Sequence, residues 1–156
     1  SAPKNMICAV KVTLWRPHMI ALSILAAGFV HFLIGGLWYS PLMFSKIWIH
    51  GLGLTDADIK EAPVNIWMAL LASALASFAQ AAALAWLFVT LAMPAVPAAA
   101  LVGAAAALAF GFMPMLRDRV WANRPWSVIL VDAGYECVGG AAAGALIASM
   151  LTAQPA

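Results

Sequence analysis

Long apolar runs broken by short polar stretches set the organisation of this chain. The first run, Met19–Tyr39, carries only Ser23 and His31 as polar side chains and is close to the ~20 residues that cross a bilayer. It ends in Gly35–Trp48, G-G-L-W-Y-S-P-L-M-F-S-K-I-W, where Pro41 stops the helix and Trp38, Tyr39, Phe44 and Trp48 are side chains that settle at a membrane–water interface. A polar loop, Ser40–Pro63, follows; within it Thr55-Asp-Ala-Asp predicts an N-cap and a short surface helix near 55–62. Apolar runs at 64–93, 98–116 and 127–151 predict three more spans. The second is longer than a bilayer needs, so it tilts or starts in the interface. The third, built of Ala and Gly, is expected to be the closely packed inner helix. Met93–Pro97 reads as a tight turn, and Arg117–Trp126 as a basic loop.

The pattern predicts an all-α, polytopic membrane protein: a tail at 1–17, one four-helix domain at 18–151 and a short tail at 152–156. Composition agrees, with 65% hydrophobic and 9% charged residues, against about 25% charged in soluble domains. The unbroken runs exclude a barrel, which alternates apolar and polar residues. A net charge of +2 gives no reason to invoke nucleic acid. Cys8 and Cys137 fall in different environments and form no metal-binding spacing. Ser1 and the tail after it read as a processed start or an expression remnant, with Met19 an alternative start, so residues 1–17 are set aside from the fold.

Four spans put both termini on one side and both polar loops on the other. The loops hold Lys46, Lys60, Arg117, Arg119 and Arg124; the terminal side holds Lys4, Lys11 and Arg16. The positive-inside rule then orients the loops to the cytoplasm and both termini outside, in a bacterial inner membrane. Pro41–Trp48 also aligns without gaps to Pro114–Trp121 as P-x-x-x-x-[KR]-[IV]-W, each followed by a proline, Pro63 or Pro125, at the next span. Two readings compete: a parallel repeat of two helices per copy, or the ordinary composition of span ends.

The polar residues inside the spans are the candidate chemistry. Asp132 and Glu136 are four apart in the fourth span, continued by Gly140 and Gly144 as G-x-x-x-G. Carboxylates in hydrocarbon cost roughly 2.5–3.5 kcal/mol on insertion scales, so they should face protein or water. They form a proton or cation site, or Asp132 caps its helix or pairs with Arg124. His31 shares a face with Gly28 and Gly35 and so faces a neighbouring helix; it is a proton relay, an axial ligand to a porphyrin-type cofactor, or a structural histidine bonded across helices. Ser73, Ser77 and Gln80 share a face of the second span and read as interhelical hydrogen-bonding groups. His31, Ser73 and Glu136 all lie about 12–13 Å from the loop side at 1.5 Å per residue, and are expected to converge in one polar layer. Trp38, Tyr39, Trp48, Trp121 and Trp126 are read as interface anchors, and Arg117, Arg119 and Arg124 as headgroup contacts.

No nucleophile elbow, phosphate loop, zinc-protease or paired-cysteine motif is present, so no enzyme activity, catalytic residue, metal or resident cofactor is expected. The string W-Y-S-P-L-M-F-S-K-I-W, joined to R-P-W-S-V-I-L-V-D-A-G-Y-E, resembles a bacterial family of small four-span membrane proteins, the domain of unknown function seventeen sixty-one. The resemblance covers roughly Met19–Leu151 and implies a four-helix membrane bundle with no established activity and no catalytic residues to carry over. Three functional expectations stand. One is a small channel- or carrier-like homo-oligomer with an intramembrane polar layer. Another is a non-catalytic accessory or assembly subunit of a larger membrane complex. The third is a cofactor-binding protein using His31. The lipid bilayer is the common partner.

Overall fold

Four helices exceed the length that crosses a hydrocarbon layer, and each keeps a positive mean hydropathy over its most apolar stretch. The computed structural model describes residues 17–61, 65–91 and 95–153. Helix α1 is Pro17–Trp38, followed by two short helices, α2 (Ser45–Gly51) and α3 (Asp56–Glu61). Helix α4 is Ile66–Thr90. Helix α5 (Val96–Ala107) passes through a π turn, Leu108–Phe112, into α6 (Met113–Trp121) as one continuous span. Helix α7 is Trp126–Thr152. The spans are α1, α4, α5–α6 and α7; residues 92–94 of the expected Met93–Pro97 turn lie outside the described residues.

Helix ends follow local chemistry. The Asn65 side chain accepts from the N–H groups of Trp67 and Met68 at 3.0 and 3.3 Å, starting α4. Thr55 caps α3 as expected: its hydroxyl accepts from Asp58 N–H at 3.2 Å, and the Asp58 carboxylate accepts from Thr55 N–H at 2.7 Å. Asn123 closes α6 with φ +50°, a left-handed conformation that asparagine tolerates. Its side chain accepts from Arg119 at 2.6 Å.

Two expectations about the loops are corrected. Ser40–Pro63 holds a second helix, α2, which packs on α7. Helix also runs through Arg117 and Arg119 to Trp121, leaving a third loop of residues 122–125 only. Pro114 fails to stop that span because it sits in the first turn of α6, just after the π turn. A proline ring clashes with the carbonyl four residues back, here Phe110, and the wider π turn makes room for it. The two copies of the P-x-x-x-x-[KR]-[IV]-W string therefore differ locally: Pro41 lies in a turn and Pro114 in a helix.

The inner helix is α7 and not the Ala/Gly-rich third span. Half of α7's most apolar stretch is buried, against 17% for Val96–Trp121. Helix α7 packs against α1, α4 and α5, whereas the third span buries one stripe, Ala99, Gly103 and Ala107, and leaves Leu101 and Phe110 facing out. That stripe meets Gly140 and Gly144: a Cβ on Gly140 would stand 2.6 Å from the Gly103 carbonyl oxygen. Small residues on both helices thus bring the backbones together, as the G-x-x-x-G spacing predicts. At the end of the bundle away from the loops, Phe88, Leu84, Ile147 and Leu151 fill the apolar core.

Candidate functional site

The aromatic string at the end of α1 closes on the start of α7. Asp132 is buried one and a half turns into α7 and is held by two hydrogen bonds and an ion pair. The Tyr39 phenol donates to Asp132 Oδ1 at 2.8 Å, and the Trp48 indole N–H donates to the same oxygen at 2.9 Å. The Arg124 guanidinium lies 3.6 Å from Oδ2. At the adjacent residue, the Trp38 indole donates to the Val131 carbonyl at 2.9 Å. Helix α2 exists to carry Trp48 to this point, and the Tyr39 and Trp48 rings meet edge to face at 5.8 Å. Trp38, Tyr39 and Trp48 are therefore bonded within the protein. Trp121 and Trp126 face outward, with the Arg119 guanidinium 5.7 Å above the Trp126 ring. Arg117 is exposed beside Asp118 at 3.9 Å.

Deeper in the bundle, His31 is buried between α1 and α7. Its ring stacks on Tyr135, with centroids 5.0 Å apart, and its Cδ2–Nε2 edge abuts Gly139. Neither ring nitrogen has a hydrogen-bond partner among the described residues. The Gly28–His31–Gly35 face does meet neighbours: Gly28 packs on Phe78 of α4, and Gly35 on the Tyr135 ring. With Gly139 against Nε2, the side of the ring that would meet a porphyrin iron is occupied by protein.

Glu136 sits next to Tyr135 in sequence but turns toward α4 and the π turn. Gln80 of α4 lines the same groove as its carboxyl, and Ser77 of α4 lies near the Tyr135 phenol while its own hydroxyl donates to the Ser73 carbonyl at 2.9 Å. The serine of α4 that joins this layer is Ser77, which is buried; Ser73 is exposed and its hydroxyl donates to the Ala69 carbonyl at 2.9 Å. The structure thus brings His31, Tyr135, Ser77, Glu136 and Gln80 to one layer and leaves Ser73 out. His31 and Glu136 share that layer with no hydrogen bond between them.

Glu136 and Gln80 are the polar groups lining a groove of about 540 Å³ between α4 and the third span. Leu84, Trp86 and Leu87 line one wall; Ala107, Phe110 and Gly111 line the other. Gly111 lies directly against the carboxylate: a Cβ there would be 3.1 Å from Glu136 Cγ. The residues that sequence alone does not flag are Tyr135, Gln80 as a partner of Glu136, and Gly111. The signal for Gly111 was Pro114, a proline inside an apolar run, which marks a place where the backbone ladder must open.

Asp132 and Glu136 do not act as one pair. A step of four residues turns the face by only about 40°, but one turn of depth changes the neighbours: Asp132 meets Tyr39, Trp48 and Arg124, while Glu136 meets the groove and Gly111.

No curated protein and no solved structure matches the chain. The family described as "Protein of unknown function (DUF1761)" matches residues 22–148, a stretch that holds the two middle spans, most of the first and last, the aromatic string and the Asp132 it clasps. On that match, the chain belongs to the DUF1761 family of proteins of unknown function.

Proposed function

We propose that this is a carrier-like membrane protein in which Glu136 takes up and releases a proton or cation at membrane depth. One observation supports it most: a carboxyl lies at the floor of an open groove between spans, with uncharged Gln80 beside it. Among the described residues no basic side chain pairs with Glu136; the ion pairs are Arg117–Asp118 and Arg124–Asp132. A carboxyl so placed is costly when charged and alone. It is stable when protonated or when a cation lies against it, and exchange between those two states is the elementary step of a carrier. Asp132, held by its two hydrogen bonds and ion pair, is assigned the structural role of fixing the loop-side end of the bundle. The basic residues at the loop end of the bundle, Lys46, Arg117, Arg119 and Arg124 among them, favour a cytoplasmic side for that end under this reading.

Infrared difference spectroscopy of the protein in lipid tests the proposal. A protonated-carboxyl C=O band should disappear as pH rises and be missing from Glu136→Gln, which keeps the shape of the side chain. A wild-type spectrum that does not change with pH, or a titrating band that survives in the variant, overturns it.

A further inference from the structure

We propose that the groove between α4 and the π turn binds a lipophilic organic cation that enters sideways from the bilayer. The inference rests on the reading of Glu136 as the exchanging group and adds what is exchanged. Size is the first argument. A volume of about 540 Å³ falls among sites for whole organic molecules, roughly 300–1,000 Å³, and is far larger than a bare ion requires. Charge is the second. The groove is lined by Ala, Leu, Trp, Phe and Gly apart from Glu136 and Gln80, with no lysine, arginine or histidine. A carboxylate in an apolar slot attracts a cation and repels an anion, and the apolar walls select one with a hydrophobic body.

Shape supplies the third argument. Trp86 and Phe110 line the groove from opposite walls and are 69% and 83% exposed, which leaves both rings accessible to a bound molecule. Aromatic faces attract cations within about 6 Å of the ring. The π turn carries Phe110 and Gly111, and the missing Cβ of Gly111 keeps the space beside the carboxyl open. Single π turns recur at functional sites. Every lining residue lies within a span, so the mouth opens at membrane depth and not into a loop.

Binding then exchanges one charge for another. The neutral Glu136 carboxyl loses its proton to water as the organic cation pairs with the carboxylate. The titratable groups within electrostatic reach of Glu136 are Asp132 and Tyr135 on α7 and Tyr39 after α1; Gln80 of α4 and Gly111 of the π turn are uncharged.

The test uses the full chain in lipid nanodiscs with tetraphenylphosphonium as probe and uncharged triphenylphosphine oxide as its comparison. The expected result is saturable binding of the cation only, with one proton released per cation. Affinity should fall about tenfold per pH unit once Glu136 is protonated, the slope of one competing proton. Glu136→Gln should abolish binding, and Glu136→Asp should retain it at lower affinity. Trp86→Leu, on an outward face, should weaken it several-fold while the carboxyl band still titrates. Equal binding of the uncharged compound, or pH-independent binding in Glu136→Gln, overturns the inference. A carboxyl that titrates with no saturable cation binding overturns the substrate class and leaves the Glu136 reading standing; a carboxyl that never titrates overturns both. Cation-insensitive disulfide cross-linking of two copies through Ala83→Cys would put a second copy in the groove, and overturns it as well.

Discussion

Replacing Asp132 with alanine removes the acceptor of two hydrogen bonds and one partner of an ion pair. The distances rank these contributions. Tyr39 and Trp48 donate to one carboxylate oxygen at 2.8 and 2.9 Å, and a hydrogen bond to a charged group nets about 1.5–3 kcal/mol. Because they share an oxygen they do not add fully, so about 3–5 kcal/mol is expected for the pair, stranded donors included. Arg124 lies at 3.6 Å with a third of its side chain exposed, and such pairs contribute about 0.2–1 kcal/mol. Asp132→Ala should therefore destabilise several times more than Arg124→Gln. Asp132→Asn keeps a carbonyl acceptor and should fall between them. Trp48→Phe keeps the ring and loses the N–H, and should show coupling to Asp132→Ala of about 1–2 kcal/mol in a double-mutant cycle. Reversible unfolding in mixed micelles, followed by circular dichroism, gives all five values. Equal losses for Arg124→Gln and Asp132→Ala would refute the ranking. Additive Trp48→Phe and Asp132→Ala would refute the clasp itself.

Gly140→Ala drives a methyl into the Gly103 carbonyl and should cost about 1–3 kcal/mol in the same assay. Gly36→Ala, with nothing within 4 Å, should be neutral or stabilise by up to about 1 kcal/mol; equal costs at both sites would contradict the packing described. Single cysteines at Ser45 and Ala122, on a background lacking Cys8 and Cys137, should be protected from an impermeant maleimide outside intact cells and labelled after permeabilisation; labelling of both from outside reverses the orientation. The Thr55 hydroxyl, and then its N–H, hold the Asp58 carboxyl below the usual carboxylate range. What Asp58 adds to α3 is present above the unfolded-state carboxylate range and lost as pH falls through the lowered value. Carbon-13 NMR titration of Asp58 in wild type and Thr55→Val checks this, and an equal titration midpoint in the two counts against the cap.

The spans were legible because hydrocarbon imposes one simple demand, about 20 apolar residues in a row, and the chain meets it in four places. The Thr55 cap was legible because it is settled within four residues. The order of packing was not. All four spans are apolar, and which one is central depends on how many of its faces are small enough to be approached. In α7 the buried small residues Ala133, Gly139, Gly140, Ala143 and Gly144 spread over a wider arc, whereas the third span concentrates its buried ones in a single narrow stripe. Interfacial composition also hid α2 and its role. A tryptophan near a span end is ordinary, and nothing local to Trp48 says that its indole N–H reaches a carboxylate 84 residues away.

The two carboxylates of α7 show how far four-residue spacing carries. Spacing alone groups Asp132 with Glu136, and both are costly in hydrocarbon. What separates them is the supply of donors. Asp132 lies level with the end of α1, where Pro41 turns the chain and α2 returns it, so a phenol, an indole and a guanidinium all arrive there. Two hydrogen bonds to Oδ1 and the Arg124 charge beside Oδ2 tie it to the loop-side end of the bundle. Glu136, one turn deeper, shares its groove with Gln80 of α4 and packs against Gly111 of the π turn. Among the described residues no basic side chain pairs with it, which is the observation behind its proposed role. The same helix thus holds one carboxylate bonded at the loop-side end of the bundle and one that lines a groove between spans, and the proposed exchange rests on that second setting.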